Sequence, residues 1–191
     1  MNNRYQWPAN ELLNHSVDGI SWVFMMNSGK EWPTVAISAC THGWEHAWLE
    51  AIDELKTSLS LQKYLARWKI YFILSNPEAY LHSIRSTEDY EVNLSNEEFN
   101  EKRFSEARFI DGNMNRVTLP ELIRSDKELA LSEQIRAREL LPILNQVDVH
   151  LDIHTYSKPW NDSMLICSHD NYEKFAKDNW FDGIVVPSRR R

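Results

Sequence analysis

Cysteine is scarce in this sequence. Its 191 residues hold two, Cys40 and Cys167, and neither belongs to a CxxC pair. Two are too few for a disulfide scaffold, and the simplest setting is a reducing cytosol. Positive charge is also short: the net charge is −7, and the only basic run is the terminal "SRRR". That argues against nucleic acid as a partner, although a few local arginines can still receive an anionic substrate. The opening "MNNRYQWPANELLNH" lacks the basic-then-apolar order of a secretory leader. No apolar run nears the ~18 residues of a membrane span. Internal repeats and low-complexity linkers are absent too. The expectation is a cytoplasmic protein without membrane or nucleic-acid partners.

Hydrophobic residues make up 42% and charged residues 26%, the ordinary mix of a globular protein. The length suits one domain with a sizeable core, so residues 1–191 are expected to form a single domain. Eight tryptophans should mostly line the core or a pocket, since indole buries a large area.

Along the chain, "ISWVFMM" (20–26) predicts a strand and "NSGKEWP" (27–33) a turn. "TVAISAC" (34–40) and "KIYFILSNP" (69–77) read as strands buried on both faces, the second stopped at Asn76–Pro77. Residues 44–60 place Trp44, Ala47, Trp48, Ala51, Leu55 and Leu59 at helical spacing. Residues 78–85 suggest a short helix or turn, and 86–104 a polar surface excursion. Residues 119–146 predict helix, with Ser125 as an N-cap ahead of Glu128. "VDVHLDIHT" (147–155) alternates as a strand, followed by strand 163–168, helix 171–180 and strand 183–187. Strands alternating with helices imply an α/β sandwich around a mixed central β-sheet flanked by helices.

Ligands in such sheets sit beyond the carboxyl ends of strands. His42 and Glu45 follow the strand 34–40, and His154 closes the strand ending at 153. Two histidines and a carboxylate, with a fourth position open, are a common set for zinc. Asp152 is placed to orient a ligand from behind. Each residue alone reads more simply as a polar strand end. Their joint position at strand ends gives the metal reading its weight. "ARFIDGNMNR" (107–116) reads as either a surface loop with paired arginines or an anion site. In the second reading Arg108 and Arg116 approach one carboxylate or oxyanion, which a guanidinium fork fits. His15, His46, His82, His150, His169 and both cysteines are left as structural residues.

"THGWE", "SNPEAY", "RFIDGNMNR" and "LDIHT" occur here in one order. That order resembles the succinylglutamate desuccinylase/aspartoacylase family, relatives of the zinc carboxypeptidases. The resemblance implies a zinc-carboxypeptidase-like (phosphorylase/hydrolase-like) sandwich, with His42, Glu45 and His154 as ligands of Zn2+. It implies that Arg108 polarises the scissile carbonyl and that Asn115 and Arg116 clamp a substrate carboxylate. Asp152 matches the acid of the family's D-[LI]-H motif, and Asn113 stands where some relatives carry aspartate.

One departure bears on activity. The family's catalytic glutamate lies well downstream of the third ligand. None of Asp162, Asp170, Glu173, Asp178 and Asp182 sits in a matching context. The expectation is a C-terminally truncated enzyme that binds zinc but hydrolyses N-acyl amino acids poorly or not at all, with an open apolar edge that leaves it self-associating, as a homo-oligomer, or marginally stable. The function implied is zinc-dependent amide hydrolysis of a small N-acyl amino acid or similar carboxylate-bearing substrate. The rivals are a zinc metallocarboxypeptidase acting on peptides and a non-catalytic zinc-binding fragment. "HGWEH" also fits the inverted HxxEH zinc motif, in which His46 would be a ligand and Glu45 the base.

Overall fold

A computed structural model describes residues 15–27, 29, 34–45, 49, 52, 68–90, 108–117 and 131–154. It also gives the backbone of residues 164–166 and 183–185, and residues 86–90 are likewise described by backbone alone. The chain divides into two compact units, Met1–His154 and Thr155–Arg191.

The first unit begins with a hairpin of β1 (Ser16–Val17) and β2 (Ile20–Ser21). Its two-residue turn is Asp18–Gly19, at φ 53° and 81°. Both values are positive, as a type I′ hairpin turn requires, and Asp-Gly is a favoured pair for it. The next strand, β3 (Val23–Asn27), is separate from β2. The continuous strand expected over 20–26 is therefore corrected: Trp22 has φ 63°, which turns the chain out of the pleat. The Trp22 N–H donates to the His15 carbonyl at 3.0 Å, and its own carbonyl accepts from Leu74 N–H at 3.1 Å. A bend held by such distant partners leaves no trace in the local apolar pattern.

β4 (Thr34–Ala39), β5 (Lys69–Leu74) and β6 (Val149–Ile153) complete a four-stranded sheet in the order β3-β5-β4-β6. β5 and β6 both run parallel to β4, and β3 runs antiparallel to β5, so the sheet is mixed as expected. Ile37 faces Phe72 on one side and Leu151 on the other.

The period of two sorts the strands into two cores. Val35, Ala39, Ile70, Phe72 and Leu74 pack with Leu49, Ile52 and Tyr80 on one face. Val23, Ala36, Tyr71 and Ile73 pack with Leu140 and Ile143 on the other. Each large side chain buried this way contributes about 1.5–3 kcal/mol. Leu49 and Ile52 are helical, in line with the helix expected over 44–60, most of which lies outside the described residues.

Helix α1 spans Pro77–Tyr90. Pro77 has no N–H to satisfy and suits the first helical position. The Asn76 side chain accepts from Ala79 N–H at 3.2 Å as the N-cap. The helix runs past residue 85 and takes in 86–90, which the polar composition had assigned to a surface excursion. Helix α2 spans Ser132–Leu144. The proposed cap at Ser125 lies outside the described residues. From α2 the buried Arg136 reaches the end of β5 and donates to the carbonyls of Leu74 (3.0 Å) and Ser75 (3.1 Å). These contacts hold the sheet's carboxyl end against α2.

In the second unit, β7 (Met164–Ile166) pairs in parallel with β8 (Gly183–Val185). The helix expected over 171–180 is outside the described residues. No helix of the described residues is long and apolar enough to cross a membrane.

Candidate metal centre

The site is built where β4 and β6 end side by side. Ala39 lies opposite Ile153, so the residues just after them emerge at one edge. Cys40 has φ 57°, a left-handed conformation that ends the strand. A tight turn follows, with Glu45 N–H donating to the His42 carbonyl at 3.1 Å. It folds the Glu45 carboxylate back against the His42 ring, Oε1 lying 3.1 Å from Nδ1. Cys40 supports the turn, its thiol donating to the Glu45 carbonyl at 3.2 Å. Burial, reinforced by the charges of Glu45 and Asp152, pushes that thiol well above the usual range. Cys40 is thus a buried structural thiol, as the sequence reading had it.

From β6, His154 presents Nδ1 to the same carboxylate, 3.2 Å from Glu45 Oε2. A potential ligand atom from each of His42, Glu45 and His154 lies within 4.8 Å of the others. Burial alone would raise the Glu45 carboxyl. Hydrogen bonds with His154 and His42, and their charge, outweigh it and hold it at about 2. His42 is 5% exposed and Glu45 1%, so the carboxylate is a buried charge that needs cationic company.

The other nitrogen of His154 is also engaged. Nε2 lies 2.6 Å from Asp152 Oδ2. Asp152 in turn accepts from the Ser38 hydroxyl at 2.7 Å and the Thr41 hydroxyl at 3.0 Å. Ser38 Oγ is 2.8 Å from His150 Nε2. Burial lowers the pKa of His154, but its hydrogen bonds to Asp152 and Glu45 prevail and raise it to about 10. Asp152 moves the opposite way. Burial pushes its carboxyl up, and the bonds to His154 and Ser38 bring it below the usual range. Burial lowers His150, against the pull of Asp152.

The loop over 108–117 forms the facing wall. The Arg108 carbonyl accepts from Gly43 N–H at 2.9 Å, which ties the loop to the ligand-bearing turn. The Arg108 Nε is buried and has no hydrogen-bond partner among the described residues. Asn113 caps the 3-10 turn Met114–Arg116 by accepting from Asn115 N–H at 3.0 Å. The same Asn113 oxygen is 3.3 Å from His42 Nε2. Asn115 and Arg116 are exposed, and Arg116 Nη1 donates to the Asn115 carbonyl at 3.2 Å.

The structure therefore brings His42, Glu45, His154 and Asp152 together. It adds two residues that the sequence reading passed over, Ser38 and Thr41, and gives Asn113, noted there only for its departure from aspartate, a place beside His42. Ser38 and Thr41 hold Asp152, and Asn113 holds the far nitrogen of His42. Ser38 sits inside an apolar strand run, and its only sequence signal is that it is polar there. A residue of equal weight is Glu133, 1% exposed, which accepts the backbone N–H groups of Ile110, Asp111 and Gly112. His150, read as a lone structural histidine, belongs to the Ser38–Asp152 network. Glu45 lies between two imidazoles, and the inverted HxxEH reading turns on His46. His46 lies outside the described residues, as do Asp162, Asp170, Glu173, Asp178 and Asp182.

The donor set fits a zinc ion. It offers two imidazole nitrogens and one carboxylate, and an acid behind one imidazole fixes that ring's tautomer. A search of curated proteins gives no match. The family profile described as the succinylglutamate desuccinylase/aspartoacylase catalytic domain covers residues 31–177. That span includes both histidines, Glu45, the Asn76 cap, the 108–117 loop and Asp152, and the chain belongs to this family of hydrolases.

Proposed function

We propose that the protein is a zinc-dependent deacylase that hydrolyses the amide bond of a small N-acyl amino acid or a similar carboxylate-bearing substrate. The observation that carries this reading is the convergence of two imidazole Nδ1 atoms on one buried carboxylate, with Asp152 behind the second ring. His42, Glu45 and His154 would hold the zinc. When bound, zinc supplies a Lewis acid and lowers the pKa of a bound water.

The remaining work falls to side chains around it. Asp152 keeps His154 in one tautomer and orientation. The Arg108 backbone is bonded to the ligand-bearing turn and its buried Nε has no partner among the described residues, so its guanidinium is the group suited to stabilise negative charge developing on the carbonyl oxygen. Asn115 and Arg116 stand exposed on the 3-10 turn, where a guanidinium fork can take a carboxylate and fix the amide's position.

The test is metal analysis of the purified chain, followed by hydrolysis assays on N-acetyl amino acids and on short peptides with a free carboxyl terminus. Cleavage of N-acetyl amino acids that needs added zinc and weakens in Arg116→Lys is the expected result. Preference for the peptides would make the protein a carboxypeptidase. Zinc bound without cleavage of either substrate would favour a non-catalytic zinc-binding role, and absence of zinc binding would sink every one of these readings.

A further inference from the structure

The 108–117 loop carries Arg108, Asn113, Asn115 and Arg116, yet its sequence gives little reason for one conformation. Its position comes from outside. Glu133 on α2 accepts Ile110 N–H at 2.6 Å, Asp111 N–H at 3.1 Å and Gly112 N–H at 3.1 Å. The same carboxylate accepts from the Asn76 side-chain amide at 3.2 Å. One buried acid thus satisfies three consecutive backbone donors of the loop and one donor of the α1 cap.

The arrangement is reciprocal. Leu131, at the N-cap of α2, offers no side-chain cap. Asp111 supplies it from the loop: its Oδ2 accepts Ser132 N–H at 2.9 Å and the Ser132 hydroxyl at 2.7 Å. The loop also passes close to the helix start. A Cβ on Gly112 would lie 3.2 Å from Leu131 Cδ1, tighter than ordinary contact. Two carboxylates therefore cross-link loop and helix, each accepting from the other's backbone.

We infer that Glu133 is a positioning residue for the substrate-binding loop, setting Arg108 and the Asn113–Arg116 turn relative to the histidine–glutamate centre. The inference rests on the deacylase reading for its functional meaning, while its geometry stands apart from that reading. Glu133 touches none of the three proposed ligands. Its path to them runs through the loop, by way of Arg108 O to Gly43 N–H and Asn113 Oδ1 to His42 Nε2. Backbone N–H groups bound to a charged acceptor are held more firmly than by a neutral one. Glutamine in its place turns one acceptor oxygen into an amide donor that faces N–H groups, so the loop loses at least one tether.

The experiment uses the full chain as wild type, Glu133→Gln and Glu133→Asp. Three quantities are read: zinc affinity, kcat and KM on an N-acetyl amino acid, and backbone amide exchange at Ile110, Asp111 and Gly112. Glu133→Gln should keep its zinc affinity, while kcat/KM falls on the order of 10²-fold, the effect of a small displacement of orienting groups. Amide exchange at the three positions should be slow in the wild type and fast in Glu133→Gln. Glu133→Asp keeps the charge and should recover part of the loss. Unchanged kcat/KM in Glu133→Gln overturns the inference, and so does a loss of zinc affinity in equal proportion, which marks a general effect on the fold. If Glu133→Gln does not fold, the wild-type exchange decides: unprotected amides at 110–112 overturn it. If the wild type cleaves no N-acetyl amino acid, the deacylase reading fails alone, and exchange still tests the tether.

Discussion

β5 and β6 flank β4 in the same parallel register, yet they do different work. β5 is buried along almost its whole length, with Ile70 to Leu74 at 1% exposure or less. β6 alternates between half-buried and exposed positions and is an edge strand among the described residues. On the buried strand each polar side chain needs a partner, so apolar groups dominate there. On the edge strand, every second position escapes the core. His150 and Asp152 use those positions, and His154 follows where the strand ends. His150, Asp152 and His154 of the candidate site thus lie on or just after the strand the core needs least, while His42 and Glu45 follow the buried β4, which β5 flanks on its other side.

The comparison breaks most visibly at the end of β6. His154→Ala should abolish high-affinity zinc binding, read by metal analysis after dialysis, because the proposed third ligand is lost. His46→Ala should leave it intact. Zinc retained by both His42→Ala and His154→Ala would remove the site altogether.

On β5 the expected effect is on stability instead. Phe72→Ala empties a fully buried site and should cost about 3–5 kcal/mol in denaturant unfolding. Zinc affinity of the folded fraction should stay the same. A large change in affinity would show that β5 does more than support.

Asp152→Asn sharpens the contrast from the other side. It keeps the shape of the side chain but weakens the bond to His154 Nε2. Zinc affinity should fall about 10–100-fold, as for other partners of metal-bound histidines. Unfolding should shift less than in Phe72→Ala.

The smallest effect is the pH dependence of the metal-free protein. His154 is raised from 6.5 to about 10, so its contribution is full below pH 6.5 and is lost as pH rises to about 10. Glu45 is lowered from 4.5 to about 2, so its contribution is full above pH 4.5 and is lost as pH falls to about 2. Melting temperature without metal should therefore be highest between pH 4.5 and 6.5 as far as these two groups decide it. It should decline towards pH 10, and His154→Gln should flatten that alkaline limb. Zinc binding near pH 8 should also release a proton, measurable as a buffer-dependent heat.

Much of this was legible along the chain. The largely apolar runs 34–39 and 69–74 are the two central strands, because a strand covered on both faces is near-continuously apolar. Asn76–Pro77 ends one of them and starts α1, since proline suits the first turn of a helix. The histidines, Glu45 and Asp152 were visible because polar residues at strand ends break an apolar pattern. The split at Trp22 was hidden, because a positive φ held by hydrogen bonds to His15 and Leu74 has no local signature. The reach of α1 to Tyr90 was hidden by the polar composition of 86–90.

The sequence by itself determined which side chains can bind a metal or an anion, and which segments are too apolar to lie anywhere but in the sheet. Those properties belong to single residues and to periods of two. Tertiary structure alone decided that His154 meets Glu45 across 109 residues and lies beside His42, that Ser38 and Thr41 hold Asp152, and that Glu133 holds the loop of Arg108. Each of these depends on strand order and register, which place distant residues within hydrogen-bond reach. A hydrogen bond has a range of about 3 Å, and only the folded chain sets distances on that scale.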